Sequence, residues 1–167
     1  APEESRLDPN GQDAHRLVQC VSSPDRMWIQ HHNGIFRSDD SGKTWHECLG
    51  VSPSSFGFAV AVHPNNPDIA WFVPEIKDER RIPADGRLVV TRTRNGGKSF
   101  EVLDRGLPKI PAYDIVYRHG LDVDSTGNVL AMGSTTGGVW ISSDQGDSWS
   151  AVDARFPPVY AVRFMQT

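Results

Sequence analysis
With 167 residues, 38% of them hydrophobic and 23% charged, the chain has the make-up of a globular domain able to bury about two thirds of its surface without disulfides or metals. Its 17 basic and 21 acidic residues give a net charge of −4, so no global field draws it to nucleic acid or to an anionic membrane. No run approaches the about 18 apolar residues of a membrane span, and 15 glycines with 12 prolines leave little room for long helices.

Residues 1–14 are polar, carry Pro2, Pro9 and Gly11, lack the basic and apolar regions of a signal peptide, and read as a linker or a disordered stretch; cytoplasm is then the default compartment. Short apolar runs bounded by turn residues follow in a repeating order. The first module predicts strands at 17–21, 27–30, 35–37 and 45–48. The second predicts 58–62, then the turn from His63 to Asp68, then 69–73, 88–91 and 100–103. The third predicts 113–117, 129–132, 139–141 and 149–152, and a further strand of the first kind begins at 159–164. Cys20 and Cys48 are too few to fix a redox compartment.

Between the third and fourth strand of each module stands the same eight-residue string. The copies are Ser38-Asp39-Asp40-Ser41-Gly42-Lys43-Thr44-Trp45, Thr93-Arg94-Asn95-Gly96-Gly97-Lys98-Ser99-Phe100 and Ser142-Ser143-Asp144-Gln145-Gly146-Asp147-Ser148-Trp149. An Asp or Asn accepts from backbone N–H groups ahead of it, Gly supplies a left-handed turn, and the hydroxyls tie the flanks together. One acid per turn offers too few oxygens for calcium, so these carboxylates are structural.

The strings resemble the Asp-box, or BNR-repeat, pattern S-x-D-x-G-x-T-W found in sialidases, two-domain xyloglucanases, sortilin-type receptors and a photosystem assembly factor. That resemblance implies an all-β fold: a β-propeller fragment of three four-stranded antiparallel blades plus one extra strand, with Asp-box hairpins between strands three and four. The wider sequence is similar to bacterial WD40/YVTN/BNR-like proteins labelled sialidase-like or glycosyl hydrolase, through Trp28 to Ser38, Ala61-Val62-His63-Pro64, Lys77 to Pro83, and Pro157 to Phe164. It implies the C-terminal half of a propeller, with blades at about 15–50, 56–105 and 112–154 and a closing strand at 159–164. Propellers carry about four to eight blades, so the expected partners are the remaining blades of the same ring or a second copy of the chain.

Loops opposite the Asp boxes gather around the central channel of such a ring. There the segment from Pro74 to Arg87 is long for a hairpin and carries Glu75, Lys77, Asp78, Glu79, Arg80, Arg81 and Asp85. Asp78, Glu79 and Asp114 are the candidate catalytic acids, since glycoside hydrolysis needs two carboxyl groups about 5 to 10 Å apart. His32, Arg80, Arg81, Arg118 and His119 are the candidate ligand-binding residues, suited to an anionic or sugar ligand. His31 and His32 are adjacent on a strand end, so only one of them can face the channel. No metal and no cofactor is expected. A sialidase needs an arginine triad, and no motif assigns it among Arg80, Arg81, Arg92 and Arg118. Two readings therefore stand: a sialidase-like glycosidase, or a non-catalytic module that binds protein or glycan.

Overall fold
A computed structural model describes Gly11 and residues 13–165. The first sheet contains β1 (Ala14–Cys20), β2 (Ser23–His31), β3 (Gly34–Ser38) and β4 (His46–Glu47). The second contains β5 (Gly57–Val62), β6 (Ala70–Lys77), β8 (Val90–Thr93) and β9 (Glu101–Leu103), with β7 (Arg80–Pro83) added beside β6. The third contains β10 (Leu121–Val123), β11 (Leu130–Gly133), β12 (Val139–Ser142) and β13 (Ser150–Ala151). Each is an antiparallel meander, and the first strands β1 and β10 both pack against β5. Among the described residues there is no α-helix, and no helix is long and apolar enough to cross a membrane.

The strand expected at 113–117 is not formed. Ile115 and Val116 are buried, yet this segment runs as irregular coil, and the third sheet begins after Gly120 with Leu121-Asp122-Val123. Ile115 O accepts one backbone bond, from Thr135 N, but no ladder forms, so this apolar run plugs the core rather than making a strand. The segment expected as one long loop instead forms the hairpin of β6 with β7, followed by a 3-10 turn at Ala84–Gly86. Most of residues 1–14 lie outside the described residues, but Ala14 already belongs to β1. At the other end, Ala161 makes a single parallel bridge to His119, and the Val159 and Val162 amides donate to Ser134 and His119.

The three eight-residue strings fold alike. In the first, Thr44 N and Oγ1 donate to the Asp40 carboxylate at 2.8 and 2.7 Å, while the Ser38 hydroxyl donates to Asp40 and accepts from Gly42 N, both at 2.8 Å. The Thr44 amide is the largest of several hydrogen bonds that hold the Asp40 carboxyl down at about 2. In the third, Asp144 and Ser142 repeat every one of these bonds with Ser148 and Gly146. In the second, Thr93 and Ser99 take the hydroxyl positions, and Asn95 donates through Nδ2 to Ser99 Oγ at 2.8 Å. Ser142→Ala leaves the buried Gly146 N–H without its acceptor and is expected to cost about 2 kcal/mol in urea unfolding. Ser148→Ala, nearer solvent, is expected to cost less than half as much.

Side chains of the second and third strands also join the sheets. Trp28 pairs with Arg37 across β2 and β3, and Trp71 pairs with Arg92 across β6 and β8. From the first pair, Trp28 Nε1 donates to Pro67 O at 2.9 Å and Arg37 donates to Gly96 O at 2.5 Å. From the second, Trp71 Nε1 and Arg92 both donate to Gln145 O, at 2.8 and 2.7 Å, and Arg92 also pairs with Asp147. Each Trp–Arg pair thus reaches into the following sheet. Gly97 and Gly146, at φ 84° and 92°, lie against Trp28 and Trp71 respectively and leave the indoles room. The register-equivalent pair in the third sheet is Ala131 with Ile141.

Candidate functional site
The face opposite the three eight-residue hairpin strings is built by the β2–β3 turn, the β6–β7 hairpin and the coil before β10. Its centre is Phe58, at the start of β5, packed with Phe56, Ile115 and Tyr117. The Arg81 and Arg118 guanidiniums stand 5.4 and 5.5 Å from the Phe58 ring centroid. Tyr117 stacks with Tyr160 at 6.1 Å. Arg81, Tyr117, Arg118, His119 and Tyr160 together line a cleft of about 380 Å³. Tyr117 foremost, and then Asp78, hold Arg81 in its charged form. Arg163 donates to His119 Nδ1 at 2.7 Å; since arginine can only donate, that nitrogen bears the lone pair. Burial, then Arg16, Arg163 and Arg118, push the His119 ring down toward neutrality.

The candidate acids are dispersed. Asp78 is clamped by Arg81 Nε and Nη2 at 3.0 and 2.6 Å. Glu79 lies at the hairpin tip, its side chain 75% exposed beside Lys77. Asp114 accepts from the Ser134 hydroxyl at 2.9 Å and from the Thr136 hydroxyl. Arg80 is exposed on β7. Arg92 is 2% exposed and spends its terminal nitrogens on Gln145 O and Asp147 of the next sheet and on Glu101 of its own. Asp122 accepts from the Phe164 amide, and Asp124 caps the turn that follows it through the Asn128 and Val129 amides.

Two features escape a residue-by-residue reading of the sequence. Glu75 on β6 is 1% exposed, and neither carboxyl oxygen has a hydrogen-bond partner among the described residues. Burial raises its carboxyl from an ordinary 4.5 to about 8, against a smaller downward pull from Arg81, so it is neutral at pH 7. The second feature is a cluster of Asp13, His15 and His32, whose ligand atoms lie within 4.8 Å of one another. His31, as its neighbour's alternate, turns away to Phe36, so only His32 joins the cluster.

No family model matches the chain, and no curated protein matches it. Solved structures do. The GH74 xyloglucanase from Xanthomonas campestris is 22% identical, with a TM-score of 0.61 over 83% of this chain and 20% of that one. YCF48 from Cyanidioschyzon merolae is 19% identical, with a TM-score of 0.57 over 86% of this chain and 38% of that one. An ancestral GH74 enzyme is 16% identical, with a TM-score of 0.64 over 84% of this chain and 18% of that one. The fold is that of part of a β-propeller, and the chain spans a fifth to two fifths of the length of the structures it matches. These likenesses pair it with glycoside hydrolases on one side and with YCF48 on the other.

Proposed function
We propose that this chain is a section of an Asp-box (BNR-repeat) propeller that works as a binding and assembly module, docking an acidic protein segment on the Arg81–Arg118 shelf. In this reading residues 15–50, 56–105 and 112–154 are three blades, 159–164 starts the next, and further blades or a second copy complete the ring. The observation that carries the docking reading is the pair of guanidiniums over Phe58, flanked by Tyr117, Tyr160 and neutral His119. Arginine forks and aromatic faces suit carboxylates and peptide planes. The acids nearby are spent on structural bonds rather than aimed together, which supports binding over chemistry. YCF48, one of the similar structures, is also solved bound to a D1 peptide.

A fluorescein-labelled peptide of alternating Glu and Tyr tests this by anisotropy at low salt. Binding is expected to weaken about tenfold in Arg118→Ala and in Arg81→Ala, and to fall with ionic strength. Equal binding by wild type and both variants, or none by any, would overturn the reading.

Glu75 favours a second reading, a glycosidase. A carboxyl kept neutral at pH 7 is what a general acid requires, and Asp78, Glu79 or Asp114 would have to supply the second carboxylate. Hydrolysis of xyloglucan by the chain, abolished in Glu75→Gln, would establish this reading in place of the first.

A further inference from the structure
The Asp13–His15–His32 cluster lies at the end of the β1–β2 ladder, where His15 packs on the same Phe58 ring that the two arginines of the shelf approach, and the docking reading does not use its ligand atoms. Its geometry comes from a bulge. Ala14 pairs with His31 and Arg16 with Gln30, so His15 is an extra residue on β1. A bulge re-aims the side chain it carries. Here it turns the imidazole inward against Phe56 and Phe58, with centroids at 5.5 and 4.6 Å, leaving the His15 side chain 1% exposed. The His32 amide donates to Asp13 O at 2.9 Å, which holds the other two members side by side.

The protonation pattern follows from the partners. His15 Nδ1 is 2.6 Å from Gly57 O, and a carbonyl only accepts, so Nδ1 carries a hydrogen. Nε2 then faces Asp13 Oδ2 at 3.3 Å. A neutral ring sets a lone pair toward the carboxylate, an arrangement that a cation held between them satisfies. His32 Nδ1, 3.7 Å from the same oxygen, is buried with no hydrogen-bond partner among the described residues. With metal–ligand bonds of about 2.0–2.1 Å, neighbouring ligands of a tetrahedral site stand about 3.3 Å apart; the two imidazole nitrogens stand 3.3 and 3.7 Å from Asp13 Oδ2, and all three ligand atoms lie within 4.8 Å of one another. The bond from His15 Nδ1 to a backbone carbonyl is the arrangement that orients a metal-binding imidazole.

We propose that Asp13, His15 and His32 form a binding site for a divalent transition metal, with two imidazole nitrogens and one carboxylate oxygen as ligands and the remaining position open to water. Zn²⁺ suits this donor set, and hard cations such as Mg²⁺ and Ca²⁺ do not. The ion would fasten the start of β1 to the end of β2 and, through His15, to the Gly57 carbonyl of the second sheet.

The test is calorimetric titration of Zn²⁺ into the chelator-treated full chain, with Co²⁺ absorption as the coordination readout. One ion per chain is expected, and Co²⁺ should give visible bands of low coordination number. His32→Ala and Asp13→Asn should each weaken Zn²⁺ binding at least about tenfold, while His46→Ala, on exposed β4, leaves it unchanged. His15→Gln risks misfolding because the ring is buried, so the two rim variants carry the test, with circular dichroism confirming that they fold. Absence of saturable one-to-one binding, or equal binding by wild type and both rim variants, would overturn the proposal. So would nuclear magnetic resonance showing both His15 nitrogens protonated in the presence of Zn²⁺, which would make the cluster an ion pair.

Discussion

Raising the pH from about 5 to about 8.5 is expected to remove about 4 kcal/mol of folding stability through Glu75 alone. Folding lifts its carboxyl from 4.5 to about 8, because the side chain is buried with no hydrogen-bond donor aimed at it. Between those values the unfolded chain has released a proton that the native chain still holds. The contribution is complete below about pH 4.5, declines as pH rises, and is fully lost above about pH 8. Glu75→Gln, neutral at every pH, should flatten this dependence and be more stable than wild type at pH 9. His31, His63 and His119 are each pushed down by burial and act in the opposite sense, so the wild-type-minus-variant difference isolates Glu75. Urea midpoints across this range measure it, and parallel curves for the two proteins would refute it.

Trp71→Ala is expected to cost about 4 kcal/mol, enough to consume much of the margin of a small domain. The indole is fully buried in the core shared by the second and third sheets, and its Nε1 bonds Gln145 O. Trp71→Phe keeps most of the volume but loses that bond, and should cost about 2 kcal/mol. Ile141→Ala, on the half-exposed outer side of the third sheet, should stay within about 0.5 kcal/mol. Thermal unfolding at fixed protein concentration separates the three, and an Ile141 variant as damaging as Trp71→Ala would contradict the packing described.

The hairpin strings were legible because their chemistry is local: Asp40 and Asp144 bond residues four positions ahead, and spacing alone predicts this. Strands flanking them were legible for the same reason. The segment 113–117 misled because burial without pairing leaves the same apolar signature as a strand, and the true strand, Leu121–Val123, is only three residues long. The acids Asp78 and Glu79 stood out by density, yet they sit at the tip of a hairpin, while Glu75, inside an apolar strand, is the carboxyl whose ionisation the fold controls. His32 was singled out, but Asp13 and His15 were not, since a bulge in β1 brings them to it and no local pattern announces a bulge.

The Trp–Arg pairs give the row of sheets a direction. In these bonds the donors leave the earlier sheet and the acceptors are carbonyls in turns of the later one, Pro67 between β5 and β6 and Gly96 and Gln145 in the outer hairpins. Neighbouring sheets therefore add head to tail, like tiles with a tongue on one edge and a slot on the other, and a two-fold, face-to-face junction would set tongue against tongue. At the third sheet the tongue is missing, because Ala131 and Ile141 occupy its positions. The segment that follows meets that sheet through backbone amides instead, Val159 N to Ser134 O, Val162 N to His119 O and Phe164 N to Asp122, so this joint is made of main-chain donors where the other two use an indole and a guanidinium.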